Sequence, residues 1–338
     1  MTKSGKRRIF RCKNCGETFS ETRDTVFFDL RTPEEKVMMA LKMILVQVSL
    51  SGISFVLGIK EETILNWLDR ASQKAEEINQ VLLKDLPVTE VQLDEMWNFV
   101  RRKISKQAEG GTESPQKADD GRQWIWVSYA LEFRLILAMV AGPRTFETAL
   151  TLIQMTARIV LGIPCFFSDG FSCYMQTLIE SYHKIKVLTG KPGRPKDPKE
   201  PHPDLVYGQV VKERKGSRII RVTYHIKCGT KRLAQLGLKI STTLLERLNL
   251  ILRQSLAPLA RKTLGFSKER KNLRKQIVFF QAFYDFARPH ISLREKVSET
   301  TKPFEQRWAS KTPGMAAGLT DHVWTFRELL TVKLAQAP

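Results

Sequence analysis

The chain has 338 residues and a formal net charge of +20, with 55 basic residues against 35 acidic ones. Its 42% apolar content suffices for a sizeable core, and the length suits two domains of ordinary size with a small appendage. No run approaches the ~18 uninterrupted apolar residues of a membrane span. The start, MTKSGKRRIFRCKNCG, lacks the apolar stretch of a signal peptide. These features exclude a membrane partner and predict a cytoplasmic, nucleoid-associated protein. The charge points to nucleic acid, because counterion release rewards many Lys/Arg–phosphate contacts. It is clustered: residues 253–275 carry eight basic side chains against Glu269 alone.

Residues 1–31 centre on Cys12 and Cys15, a Cys-x-x-Cys whose spacing suits two thiolates on one Zn²⁺, with Gly16 allowing the turn. A structural zinc needs four ligands, and no second Cys/His pair lies nearby, so this is half of a zinc signal. The expectation is a partial or degenerate knuckle. The five cysteines do not suggest a disulfide framework.

Residues 32–86 predict a helical domain. Thr32-Pro33-Glu34-Glu35 has the form of a capping box with Pro at the first helical position, opening a helix from Glu35 to about Val48. Ile53, Val56 and Leu57 mark a short helix closed by Gly58. Glu61 to Arg70 begin another, with Ile64, Leu65 and Leu68 inward, and Ala71 to Leu86 continue as a helical linker. Helix, glycine turn, helix is the helix-turn-helix pattern, and it would turn Lys60, Thr63, Asn66 and Arg70 toward a major groove.

Residues 87–285 form an expected α/β (α+β) domain of ribonuclease-H-like element order, βββ-α-β-α-β. The first strand is VQLDEMWNFV, residues 91–100, with Asp94 and Glu95 mid-strand. A polar loop covers 103–121, and two strands follow over 123–130 and 134–141. A helix begins at Thr145. A buried strand ends at Ser168-Asp169-Gly170, a helix covers 174–182, and the last strand covers 184–188. An insertion spans 189–227. It holds Gly193-Arg194-Pro195, most simply an extended loop, and a hairpin over 205–227 turning at Lys215-Gly216. Ser241 caps an amphipathic helix that carries Glu246, Asn249 and Arg253 on one face. Residues 286–338 are a C-terminal extension.

Taken singly, Asp169-Gly170 is a strand-ending turn, and Glu246 is a first-turn acid favoured by the helix dipole. Together with Asp94 they fall where the first and fourth strands are neighbours and the following helix can lie across them. Three carboxylates so placed repel one another without a cation. They suit two Mg²⁺ (or Mn²⁺) ions, which prefer oxygen ligands and support in-line phosphoryl displacement.

The segments LDEMW, FFSDGFSCY, LLERLNLILRQSLAPLARKTLGFSK, FYDFARPHISL and TPGMAAGLTDHVWTFRELL resemble the DDE transposases of bacterial insertion sequences, close to the insertion-sequence-one type. The resemblance covers residues 10–330. It implies that Asp94, Asp169 and Glu246 are the catalytic, metal-binding triad, and that the knuckle and helix-turn-helix recognise terminal inverted repeats. It also implies a homo-oligomer acting on element ends and target DNA. Asn249, Arg253, Arg261, Lys262 and Lys268 are further expected DNA contacts. The family's usual knuckle has an additional Cys pair that this chain lacks. Two other readings fit the residues: a ribonuclease-H-like nuclease or integrase, and a DNA-binding repressor of transposition without catalysis.

Overall fold

The computed structural model describes residues 8–101, 121–185, 199–216, 218–297 and 308–334. The expected loop over 103–120 and Gly193-Arg194-Pro195 lie outside these residues. Two compact units emerge: Met1–Leu82 with Arg253–Phe266 and Lys271–Pro338, and Leu83–Leu252 with Ser267–Arg270.

In the first unit, β1 (Ile9–Arg11) and β2 (Thr18–Ser20) pair antiparallel around the Cys12–Cys15 turn, where Gly16 takes a φ of +74°. Helix α1 (Glu34–Ile44) differs from expectation at both ends. Pro33 itself is the cap residue, so the Thr32 side chain caps nothing. The helix stops short of Val48 because the chain turns at Gln47, with φ +67°. In α2 (Leu50–Leu57) the Ser49 hydroxyl accepts from the Gly52 N–H at 3.1 Å, and Gly58 closes the helix in the left-handed region at φ +64°. A side chain would be strained there, which is why glycine marks this turn.

Helix α3 (Glu61–Leu82) is a single helix through the expected linker. Ile64, Trp67, Leu68, Ala71, Ala75 and Ile78 recur at helical spacing and are buried, while Leu65 is only half-buried. Each large apolar side chain fully buried there stabilises the unit by about 1.5–3 kcal/mol.

The second unit is built on a six-stranded mixed sheet in the order β10-β9-β6-β3-β4-β5. Strand β3 (Glu90–Val100) pairs antiparallel with β4 (Gly121–Ala130), and β4 pairs with β5 (Leu135–Gly142). Gly121, expected as the last loop residue, is already strand. Helix α4 (Phe146–Ile159) leads to β6 (Cys165–Ser168), which lies parallel to β3 from Glu90↔Cys165 to Leu93↔Ser168. Helix α5 (Cys173–Ser181) follows.

The next strand departs from expectation. Strand β7 (His183–Ile185) is short and pairs only with β8 (Lys199–Pro201), outside the main sheet. The position beside β6 belongs to β9 (Val206–Lys215), parallel to β6, and β10 (Arg218–Cys228) folds back on it. The physical reason is burial. Residues 206–210 are buried throughout, whereas β7 is half-buried at best, and a parallel strand covered on both faces needs the more continuous apolar run. Within this sheet the first and fourth strands in chain order, β3 and β6, are neighbours, so this mixed α/β architecture is compatible with the expected ribonuclease-H-like fold.

Helix α6 (Thr230–Leu236) and helix α7 (Thr243–Ser255) complete the second unit up to Leu252. The Ser241 hydroxyl accepts from the Thr243 N–H at 3.3 Å. Pro258 falls in a 3₁₀ turn, Ala257–Leu259, and α7 ends before it at Ser255.

Helix α8 (Arg270–Ala282), which belongs to the first unit from Lys271 onward, runs into a π-helical turn, Phe283–Ala287, ending before Pro289. Beyond it come β11 (Glu295–Lys296), β12 (Trp308–Ala309), α9 (Pro313–Ala316) and α10 (Phe326–Thr331). Phe286 stacks on Trp324 with ring centroids 5.0 Å apart.

Candidate acidic metal centre

The parallel register ends at Leu93↔Ser168, so the residues that follow, Asp94 and Asp169, come together where β6 stops. Asp94, Glu95 and Asp169 each offer a carboxylate oxygen, and these oxygens lie within 4.8 Å of one another. Among the described residues this is the group of three or more acidic, His or Cys side chains placed to share a cation.

Asp94 and Glu95 are adjacent but face different helices. Asp94 Oδ2 accepts from Asn249 Nδ2 of α7 at 2.7 Å, and Oδ1 accepts from the Glu95 N–H at 2.8 Å. Burial pushes the Asp94 carboxyl up to about 7. The Asp169 and Glu246 charges add to this, and the two hydrogen bonds oppose it.

Glu95 turns toward α5. Its Oε2 accepts from the Tyr174 hydroxyl at 3.0 Å, and its Oε1 is paired with the Arg144 guanidinium, whose Nε stands 2.9 Å away. Burial, then the Asp169 charge, raises the Glu95 carboxyl to about 7 despite Arg144. Arg144 lies over the rings of Trp124 and Phe171, at 4.8 and 4.4 Å from their centroids. Asp169 Oδ1 accepts from the Phe171 N–H at 3.1 Å, which fixes it at the strand end.

Glu246 lies on α7, one turn before Asn249. Its carboxylate is paired with Lys212 of β9 and accepts from the Thr242 hydroxyl at 3.1 Å. It adds to the field on Asp94 but is half-exposed and outside the tight cluster. What holds α7 against β3 is Gln92: its buried Oε1 accepts the Leu245 N–H at 2.9 Å. A first-turn helix N–H has no partner within its own helix, so a side chain supplied by a strand fixes the helix in place.

The donors fit a hard divalent cation, being carboxylate oxygens only. Asn249 Oδ1 is buried beside them with no hydrogen-bond partner. An atom so placed calls for a donor such as a cation-bound water.

The other expected site residues are dispersed. Lys60 and Asn66 are exposed and Thr63 is half-buried, while Arg70 donates to the Phe28 carbonyl. Arg253 donates to the Leu259 carbonyl at 3.1 Å. Arg261, Lys262 and Lys268 are exposed. Cys12 and Cys15 are free thiols. Asn249, expected as a DNA contact, has its amide on Asp94.

Sequence reasoning did not assign Glu95, Arg144, Tyr174 or Gln92 to the site. Two adjacent acids in one strand were the available signal for Glu95. The other three carry no local pattern, since their partners are distant in the chain.

No protein-family model matches the chain, and no curated protein matches it. Among solved structures, a Mos1 transposase paired-end complex with left transposon end is 13% identical at a TM-score of 0.17, over 43% of this chain and 56% of that one. The Mos1 mariner paired end complex with Mn is 13% identical at a TM-score of 0.18, over 45% and 56%. The Mos1 Strand Transfer Complex is 13% identical at 0.16, over 42% and 52%. This chain spans about half the length of the structures it matches. At these TM-scores the likeness carries no argument about fold or chemistry.

Proposed function

We infer that the chain is a DNA transposase of the DDE type, resembling the insertion-sequence-one family. In this reading it binds the terminal inverted repeats of an insertion sequence and carries out metal-dependent DNA cleavage and strand transfer. The observation that carries the reading is the meeting of Asp94 and Asp169 at the ends of neighbouring parallel strands, with Asn249 of α7 on Asp94 and Glu246 one turn away.

Asp94, Asp169 and Glu246 would hold two Mg²⁺ or Mn²⁺ ions. When bound, such ions activate an attacking water or 3′-hydroxyl and stabilise the leaving oxygen of an in-line displacement. Asn249 orients Asp94 through its amide. Arg144 and Tyr174 hold Glu95, so that Glu95 backs the site rather than swinging out of it. Lys212, paired with Glu246, would be placed to meet a phosphate of DNA brought to the carboxylates.

In the same reading residues 1–31 are a partial knuckle, with Cys12 and Cys15 as half of a Zn²⁺ set. Residues 32–86 are a helix-turn-helix domain that presents Lys60, Thr63, Asn66 and Arg70 to element ends. Residues 87–285 are catalytic and 286–338 are an extension. Arg253, Arg261, Lys262 and Lys268 serve flanking or target DNA, and the protein works as a homo-oligomer near the nucleoid. No helix among the described residues is long and apolar enough to cross a membrane.

The test is a labelled duplex carrying an element end and its flank, incubated with Mg²⁺ and either the wild type or Asp94→Asn. Joined products that vanish in the variant support the reading. Nicking without joining replaces it with a nuclease. Tight binding with no product from either protein replaces it with a repressor.

A further inference from the structure

We propose that the β9–β10 hairpin is a DNA-gripping arm, whose basic face, Lys215, Arg218 and Arg221, takes the phosphates of a duplex beside the acidic centre. The proposal rests on the reading of the chain as a DNA-binding protein, but not on its catalysis. Strand β9 is buried from Val206 to Val210 and exposed from Glu213 onward, and β10 is exposed over nearly all of its eleven residues. The outer part of the hairpin therefore stands clear of the core of its unit as a two-stranded ribbon. A major groove about 12 Å wide admits such a ribbon.

The register separates the two faces. Arg218 lies opposite Lys215, and Arg221 lies opposite Glu213. Directly paired residues project to the same side of a sheet, so three cations and one acid share one face. The other face carries Lys212, Arg214 and Ile219 together with Val222 and Tyr224, the last two exposed at 41% and 58%. Opposing Lys215 to Arg218 is unfavourable in isolation, because like charges directly across a ladder destabilise it. A polyanion lying on that face reverses the sign. A bulge between Ile219 and Arg221 keeps both arginines on this face, opposite Lys215 and Glu213, which are two residues apart; at ~3.3 Å per residue that is about 7 Å, or about two steps of one DNA strand at ~3.4 Å.

The position of the arm adds to the charge argument. Lys212, at the base of the exposed segment, is paired with Glu246. Arg214 and Lys215 follow two and three residues further along the same strand, so a duplex brought to the carboxylates meets the arm.

The experiment uses the full chain with divalent ions omitted, so that no DNA is cut. Fluorescence anisotropy of a labelled duplex gives Kd as a function of salt, for the wild type and for the triple variant Lys215→Ser/Arg218→Ser/Arg221→Ser. Each lost phosphate contact removes about 0.9 from the slope of log K against log salt. The expected result is a slope shallower by about 2 to 3, with affinity at low salt reduced at least tenfold. Arg218→Lys/Arg221→Lys, which keeps the charge, should retain the wild-type slope and guards against a folding defect in the triple variant. Val222→Ser/Tyr224→Ser, on the other face, should leave the slope unchanged.

An unchanged slope in the folded triple variant overturns the proposal. So does a Val222→Ser/Tyr224→Ser protein that loses mass in sedimentation and binds DNA weakly while the triple variant binds normally, since the arm would then be a contact between copies of the chain. Loss of slope in a protein that neither nicks nor joins DNA upholds the arm and removes the catalytic reading, so the two failures are distinguishable.

Discussion

Asn249 Nδ2 lies 2.7 Å from Asp94 Oδ2 although 155 positions separate the two residues. The bond ties α7 to the strand that carries Asp94 and Glu95. It is possible because Gln92, two residues before Asp94 and on the same face of β3, holds the first turn of α7 through the Leu245 N–H. The two contacts set both the height and the rotation of the helix, and so the approach of Glu246.

Replacing Asn249 with Ala removes the side-chain donor that orients Asp94. Partners of metal-binding residues typically change metal affinity by about 10–100-fold when lost. Asn249→Ala should weaken Mn²⁺ binding by about that factor in a calorimetric titration. Unchanged affinity would show that the amide has no part in preparing the carboxylate.

Asp94→Asn should stabilise the metal-free protein, with a sign that depends on pH. The folded-state carboxyl is raised to about 7 from an ordinary value of 3.8, chiefly by burial. The folded state thus keeps this proton where the unfolded chain has released it. Stability falls as pH rises from about 4 to about 7 and stays low above that. The amide does not titrate, so the variant should gain little below pH 4 and most above pH 7. A gain of about 1 kcal/mol or more is expected at pH 8. Thermal melts across this range check it, and a gain that is equal at both extremes would contradict it.

Arg144→Met should weaken the protein at pH 8. It removes the guanidinium that pairs with Glu95 and lies over Trp124 and Phe171, and so leaves the buried Glu95 carboxylate beside Asp94 and Asp169 with no counter-charge from that residue. Breaking a buried pair from one side costs about 3–5 kcal/mol. Arg144 is 39% exposed, so solvent reduces this, and we expect a loss of roughly 1–3 kcal/mol in urea unfolding. Arg144→Met/Glu95→Gln, which removes the buried charge as well, should recover part of it.

Cysteine reactivity should separate by position. Hydrogen bonds from the turn, first from the Cys15 backbone, hold the half-buried Cys12 thiol below its usual range, whereas burial pushes Cys165 up to about 11. The thiolate is the reactive form. At pH 8, iodoacetamide should therefore modify Cys12 well before Cys165, as read by peptide mass spectrometry. Added Zn²⁺ should protect Cys12 and Cys15 if the pair takes part in a metal site.

Gly229→Ala should destabilise the second unit. Gly229 has φ +78°, and a Cβ there would lie 2.5 Å from the Leu205 carbonyl oxygen. The left-handed conformation alone costs about 1–2 kcal/mol for a residue with a side chain. A lowered denaturation midpoint with an unchanged m-value is expected, and no shift would mean that the turn can relax.

Periodicity and punctuation within short windows determined much of this protein. The spacing of Ile64 and Leu68 specified the buried face of α3, although Trp67 rather than Leu65 completes it; Gly58 specified the turn before it, and Gly216 the turn of the basic hairpin, in which Lys215 is still strand. Asp94 and Asp169 were visible as acids in apolar strands, because a carboxylate at such a position is costly without a partner.

The tertiary structure decided what depends on partners far apart in sequence. It put β9, rather than the 184–188 segment, beside β6, since only the former is apolar enough to be covered on both faces. It turned Glu95 to Arg144 and Tyr174, moved the Asn249 amide onto Asp94, and paired Glu246 with Lys212. Local patterns encode which face of an element is buried. They do not encode which side chain from another element arrives there, because that is set by sheet order and helix placement, and both are settled by packing over the whole unit.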